Sequence, residues 1–175
     1  MRPVCRLHHG GPARLWATAL AQILGIARKD AQGYIDSYFA AYQGVRRWLD
    51  ATVQQARSRG HVNTLMGRRR EIPELSSNNV VDRQAGERIA ANTPIQGSAA
   101  ELCKLAMLGI DWRLREQGLS ARMLLQIHDE LVFEAPVAEV EAVCTVVREE
   151  MERAYPLDVP LVVDVGVGDT WDQAH

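Results

Sequence analysis

Long hydrophobic runs are missing from this 175-residue chain. Nothing in it approaches the ~20 consecutive apolar residues of a membrane-spanning helix, so no membrane role is expected. Cysteine is scarce. Cys5, Cys103 and Cys144 are widely separated and odd in number, which excludes a disulfide framework and zinc-ligand spacing. The opening MRPVCRLHHGGPARL is basic but has no continuous apolar segment, unlike a secretory signal. The expected setting is therefore a reduced cytoplasm. Internal repeats and low-complexity tracts are also absent, which argues against a repeat architecture.

What remains is a globular composition, 47% hydrophobic, with enough length for one domain of ordinary size and a sizeable core. The net charge of −2 argues on its face against a polyanionic partner, but the average hides an asymmetry. From Gly44 to Arg122 there are 13 Lys+Arg against 8 Asp+Glu, whereas from Gln126 to His175 there are 2 against 12. Local sign, not the total, decides where a polyanion docks.

Apolar spacing predicts helices over Ala27–Tyr42 and Val45–Arg59, broken at Gln43-Gly44 and ended at Gly60. HVNTLMGRRREIP reads as a short hairpin around Met66-Gly67, and Ser76 to Asn79 as a loop with a helix cap. Val80–Ala91 and Ser98–Gln117 read as helices, with Pro94 and Gly97 marking a kink or boundary between them. Strands follow at Arg122–Ile127 and Leu131–Glu134, a helix over Val137–Ala154, and a last strand at Leu161–Val165. This irregular alternation predicts an α+β fold, a small antiparallel sheet with helices packed on it.

Three constellations could carry chemistry. In QIHDELVFE, Leu125, Ile127, Leu131 and Phe133 read as one buried strand face, with His128-Asp129 as the turn of a tight hairpin. Asp129 and Glu130 then sit at a hairpin tip, where adjacent carboxylates repel unless a divalent cation such as Mg²⁺ neutralises them. A bare His-Asp-Glu is more often the mark of a solvated turn, and it is the flanking apolar run that favours a rigidly held site. In ERIAANTPIQGSAAELCK, Arg88, Asn92 and Gln96 recur every four residues on a small, apolar segment. A solvated helix face would look the same. As donors, however, these side chains suit the minor-groove acceptors that every base pair presents. In RSRGHVNTLMGRRR, five arginines and a histidine fall within fourteen residues, a density that suits phosphate contacts more than a merely solubilising loop.

These segments, in this order, resemble the C-terminal part of the family A DNA polymerases, the bacterial DNA polymerase I type. The likeness starts near Leu20 in LAQILGIARKDAQGYIDSYFAAYQGV. It runs through GHVNTLMGRRREIPEL, ERIAANTPIQGSAAELCKLAM and QIHDELVFE, and ends in VPLVVDVGVGDTWDQAH. The resemblance implies the later fingers and most of the palm over residues 20–175, with a motif C hairpin at QIHDELVFE. By that likeness, Asp129 would bind metal, Glu130 would support it near the primer terminus and His128 would contact the primer end. Arg88, Asn92 and Gln96 would touch template and primer, and Arg68, Arg69 and Arg70 would approach the duplex. Template-directed DNA synthesis in replication and repair, two Mg²⁺ ions, primer-template DNA, dNTPs and a bacterial, nucleoid-associated location are implied with it.

Two parts of that family's pattern are absent. No run of the form DYSQIELR, source of the second metal-binding aspartate, occurs, and no RxxxKxxxFGxxYG helix for the nucleotide. Thumb and exonuclease segments are absent too. Residues 1–19 form an atypical segment, as expected of a fragment, a frameshifted gene or real divergence. The expectation is a truncated polymerase, inactive alone, with the missing N-terminal part as a candidate partner. The alternatives are an inactive DNA-binding remnant of a palm and a structural interaction module.

Overall fold

The computed structural model describes residues 2–6 and 16–174. The chain divides into two compact units, one running up to Ser98 and the other joining an N-terminal strand to everything from Ala99 onward.

The first unit contains α1 (Trp16–Leu24), α2 (Arg28–Ala41) and α3 (Gln43–Arg59). Ala31, Ile35 and Phe39 recur every four residues along α2 and pack with Ala17, Ala21 and Leu49, the apolar stripe expected of an amphipathic helix. The break after α2 falls at Tyr42 (φ −111°, ψ 58°). Gln43 and Gly44, predicted as the break, instead open α3. Gly60 ends α3 in the left-handed region at φ 75°, a conformation open to glycine at no steric cost. The predicted hairpin follows as β2 (His61–Asn63) and β3 (Arg69–Glu71), with Val62 opposite Arg70. After a single 3₁₀ turn at Pro73–Ser76 comes α4 (Val80–Glu116), whose start is capped by Asn79 Oδ1 accepting from the Val81 N–H at 2.9 Å.

α4 runs unbroken through Pro94, correcting the boundary expected there. Proline removes one donor and costs ~3 kcal/mol in a helix interior. Packing outweighs that cost. Ala90, four residues earlier, lies in a core with Ala56, Val62 and Ile72, and the Ser98 hydroxyl donates to the Pro94 carbonyl.

The second unit is built on an antiparallel sheet of β1 (Arg2–Arg6), β4 (Arg122–Ile127), β5 (Glu130–Glu134) and β6 (Asp164–Gly168), in the order β4-β5-β1-β6. α5 (Val140–Glu152) contributes Val143, Val146, Val147 and Met151, and the second half of α4 contributes Cys103, Ala106, Ile110 and Leu114, to a core closed by Leu131 and Phe133. The α+β expectation holds. β1 was not foreseen, and the last strand begins at Asp164 rather than Leu161 because its ladder partner, Arg6, lies opposite that residue. Leu161 and Val163 pack into the core without joining the sheet.

The single buried face expected of the β4–β5 hairpin is also corrected. A bulge between Met123 and Leu125 shifts the register, so that Phe133 opposes Met123 but Leu131 opposes Gln126. One extra residue transfers everything beyond it to the opposite face. Leu125 is accordingly 45% exposed, while Leu131 and Phe133 are fully buried. At the far edge, α6 (Trp171–Ala174) sits on β6 so closely that a Cβ on Gly166 would collide with the Ala174 carbonyl, and one on Gly168 would come within 2.7 Å of Gln173 Cβ.

α4 and α5 are pinned together by Arg113, whose Nη1 donates to Glu149 Oε2 at 2.8 Å and Glu150 Oε1 at 3.0 Å. The hydrogen bond from Arg113 holds the Glu149 carboxyl below its ordinary range. A carboxyl depressed in the folded state stabilises at neutral pH and loses that contribution as pH falls through its folded value. Arg113→Gln should therefore lower the melting temperature at pH 7 and shrink the loss on acidification relative to wild type. Thermal melts followed by circular dichroism from pH 7 to pH 3 check this.

Candidate active-site tip and nucleic-acid interface

Ile127 pairs with Glu130, leaving His128 and Asp129 as a two-residue hairpin loop. His128 lies at φ 53°, a sign that hairpin turns of this length impose and that glycine usually supplies. The Gln126 Nε2 donates to the His128 carbonyl at 3.0 Å, bracing the loop from β4. Arg122 bridges Glu134 at 3.3 Å near the hairpin's open end.

Asp129 is half-buried at the turn, with apolar Leu131 two residues on fixed in the core. Its charge reaches inward. Burial first, and Asp129 second, push the Cys103 thiol above its ordinary value. The expectation of two exposed acids is met only in part, because Glu130 is the first residue of β5 and 8% exposed. A carboxylate at a half-open turn, backed by a second one in the strand, suits one corner of a hard divalent cation's shell. Among the described residues no group of three or more His, Cys, Asp or Glu completes a cage.

The other two constellations meet in the first unit. Arg88 and Asn92 are half-buried and Gln96 is exposed along α4, at the four-residue spacing that puts them on one side. The Asn92 Oδ1 is buried with no hydrogen-bond partner. The β2–β3 hairpin is fastened onto the same stretch. The Leu65 N–H donates to Ser98 Oγ at 2.7 Å, and Arg70 Nη1 donates to Thr93 Oγ1 at 3.2 Å. Arg68, Arg69 and Arg70 are exposed, and Arg69 also bridges Glu71 at 2.6 Å. Arg57, part of the same basic stretch, pairs with Glu87. The cluster thus divides into arginines braced against the protein and a tip open to solvent.

The family model for DNA polymerase family A matches residues 15–173. The chain belongs to DNA polymerase family A. It is 51% identical to DNA polymerase I of Pseudomonas aeruginosa over 159 residues, covering 91% of this chain and 17% of that protein. With DNA polymerase I of Mycobacterium tuberculosis it shares 49% over 173 residues, 99% of this chain and 19% of that protein. Among solved structures it matches the POL domain of Pol1 from M. smegmatis in complex with DNA primer-template and dNTP, with a TM-score of 0.84 at 49% identity, covering 91% of this chain and 28% of that one. The chain thus spans roughly a fifth of the length of these polymerases I.

Reading the sequence alone missed the residues that seat the arginine hairpin on this polymerase helix. Thr93 and Gly97 lie in the segment read as an interruption, Ser98 is the first residue of the helix expected after it, and Thr64 faces them from the hairpin. The available signal was a run of small and hydroxyl residues around a proline. A Cβ at Gly97 would lie 2.7 Å from Thr64 Cγ2. Thr64 is buried, and its Oγ1 accepts from the Arg68 N–H at 3.0 Å, so it cannot rotate away without losing that bond. Gly97→Ala would gain about 0.5–1 kcal/mol of helix propensity against an overpacking cost of about 1–3 kcal/mol. The net expectation is a less stable protein with faster amide exchange at Leu65 and Arg68, measured by urea denaturation and hydrogen exchange.

Proposed function

We propose that this chain is the DNA-handling and metal-tip portion of a DNA-directed DNA polymerase, acting in template-directed nucleotidyl transfer in replication and repair. The observation that carries the reading is Asp129, half-open at a two-residue turn whose outgoing strand is buried in the core, in a chain matched by the family over residues 15–173. Asp129 would hold one Mg²⁺, with Glu130 behind it. When bound, the ion supplies positive charge to phosphate oxygens and to a primer hydroxyl. His128, beside Asp129 and exposed, would contact the primer end.

On the first unit, Arg88, Asn92 and Gln96 would donate to minor-groove acceptors shared by all base pairs, which tolerates any sequence. Arg68, Arg69 and Arg70 would meet phosphates. Primer-template DNA and dNTPs are the partners this reading implies, by likeness to the M. smegmatis complex.

Two-metal transfer uses ions held by carboxylates from separate segments, and no DYSQIELR-like run supplies the second. That favours a second reading for the chain by itself, a DNA-binding remnant without turnover. Purified alone with Mg²⁺ and four dNTPs, it should fail to extend a labelled primer. Extension that disappears in Asp129→Ala would show that the chain carries a complete site. Binding to fluorescent primer-template, followed by anisotropy against salt, should persist. Its log–log slope should be about −2 to −3 if three arginines contact phosphates. Replacing Arg68, Arg69 and Arg70 together by Ala should flatten it, with little dependence on DNA sequence. Unchanged affinity in that variant would remove the hairpin from the interface.

A further inference from the structure

Trp48, Thr52, Gln55 and Arg59 recur at helical spacing along α3 and line one wall of a groove of about 200 Å³ in the first unit. This stripe is distinct from the one that α3 buries through Leu49 and Ala56. β2 supplies a second wall. Val62 is buried, so strand alternation puts His61 and Asn63 together on the other face, and both line the groove. Val62 and Pro94 of α4 complete the lining. Two residues beyond Asn92, at about 100° each, Pro94 stands about 200° round the helix axis from it. The groove therefore adjoins the side of α4 away from Arg88, Asn92 and Gln96, and a ligand in it is not the base pair those residues would touch.

No carboxylate lines the groove. Its side chains offer a guanidinium, an imidazole, two carboxamides and an indole, and Trp48 is 42% exposed. Among the described residues, no ion pair or hydrogen bond engages the Arg59 guanidinium or the Gln55 and Asn63 amides. The His61 Nδ1–H donates to the Arg59 carbonyl at 3.0 Å, which orients the ring and leaves Nε2 for a ligand. Thr52 is the exception, its hydroxyl already donating to the Trp48 carbonyl at 2.8 Å. Across the ladder from His61, the Glu71 charge is bridged by Arg69 at 2.6 Å.

The cations call for an anion, and nucleic acid is the polyanion that also brings flat bases to an indole. Inside a duplex those base faces are stacked and out of reach, so the strand has to be single. Arg59 lies eleven residues beyond Trp48. That is about 16 Å along the helix, several times the ~3.4 Å rise per nucleotide of a stacked strand, so the wall suits a run of nucleotides rather than one.

We propose that this groove binds single-stranded nucleic acid, with a base stacked on Trp48, backbone phosphates on Arg59 and His61, and polar edges met by Gln55 and Asn63. The inference goes beyond the polymerase reading and does not rest on it.

The probe is a short fluorescein-labelled oligothymidylate, titrated by anisotropy into the full 175-residue chain with Arg68, Arg69 and Arg70 replaced by Ala, which removes the hairpin as a competing phosphate site. Binding should persist in that background. Adding Trp48→Ala should weaken it about tenfold, within the range of one base–aromatic stack. Trp48→Phe, which keeps a flat ring, should recover most of the affinity, a rescue that a misfolded variant could not give. Arg59→Gln should flatten the log–log salt slope by about 0.7, the share of one phosphate contact on a single strand. Absent binding, equal losses in the Phe and Ala variants, unchanged affinity in Trp48→Ala, or an unchanged slope in Arg59→Gln would each overturn the proposal. Displacement by thymidine monophosphate at equal nucleotide concentration would overturn it too, marking a site for one nucleotide. Primer-template duplex titrated into the wild-type chain separates the two readings. Absent duplex binding with strand binding intact would count against the polymerase reading and leave the groove standing.

Discussion

Burial of β5 on both faces is the constraint on which the second unit depends. Leu131 and Phe133 face the core shared with α4 and α5, and Val132 packs with Ala174 of α6. A strand covered on both sides cannot slide by one residue without exchanging its two apolar sets. That fixes where β5 begins, and so where the turn before it falls. Asp129 owes its place to three buried apolar residues, Leu131, Val132 and Phe133.

The first unit reaches precision differently. Its hairpin has only three residues per strand, too little for an isolated pair to be stable. Side-chain hydrogen bonds from Ser98 and Thr93, with close approach at Gly97, hold it to α4. The arginine tip is thus carried by a rigid helix, which suits contacts to a regular polyanion better than a swinging loop would.

Much of this was readable from the sequence because it is local. Periodicity located α2, α3, α5 and the β4–β5 hairpin, and Gly60 and Asn79 marked ends through their own chemistry. What escaped depends on partners distant in the chain. β1 exists because β5 and β6 offer it ladders, and β6 begins where β1 can reach it. α4 continues through Pro94 because neighbours repay a local penalty. The bulge that turns Leu125 outward has no composition signal. Of the site, the position of Asp129 was legible and the burial of Glu130 was not, since that depends on the whole sheet. The roles proposed for Arg88, Asn92 and Gln96 rest on likeness to a family rather than on spacing, which a plain solvated face would share.

Gly166 and Gly168 show how positions without a side chain can become intolerant of change. Where α6 rests on them, the separation between helix and sheet is set by hydrogen atoms alone. Every codon change that alters either residue inserts at least one carbon into a gap with no room for it. Selection at these two sites would thus be severe, and a map of mutational sensitivity would light up two positions that have no side chain of their own.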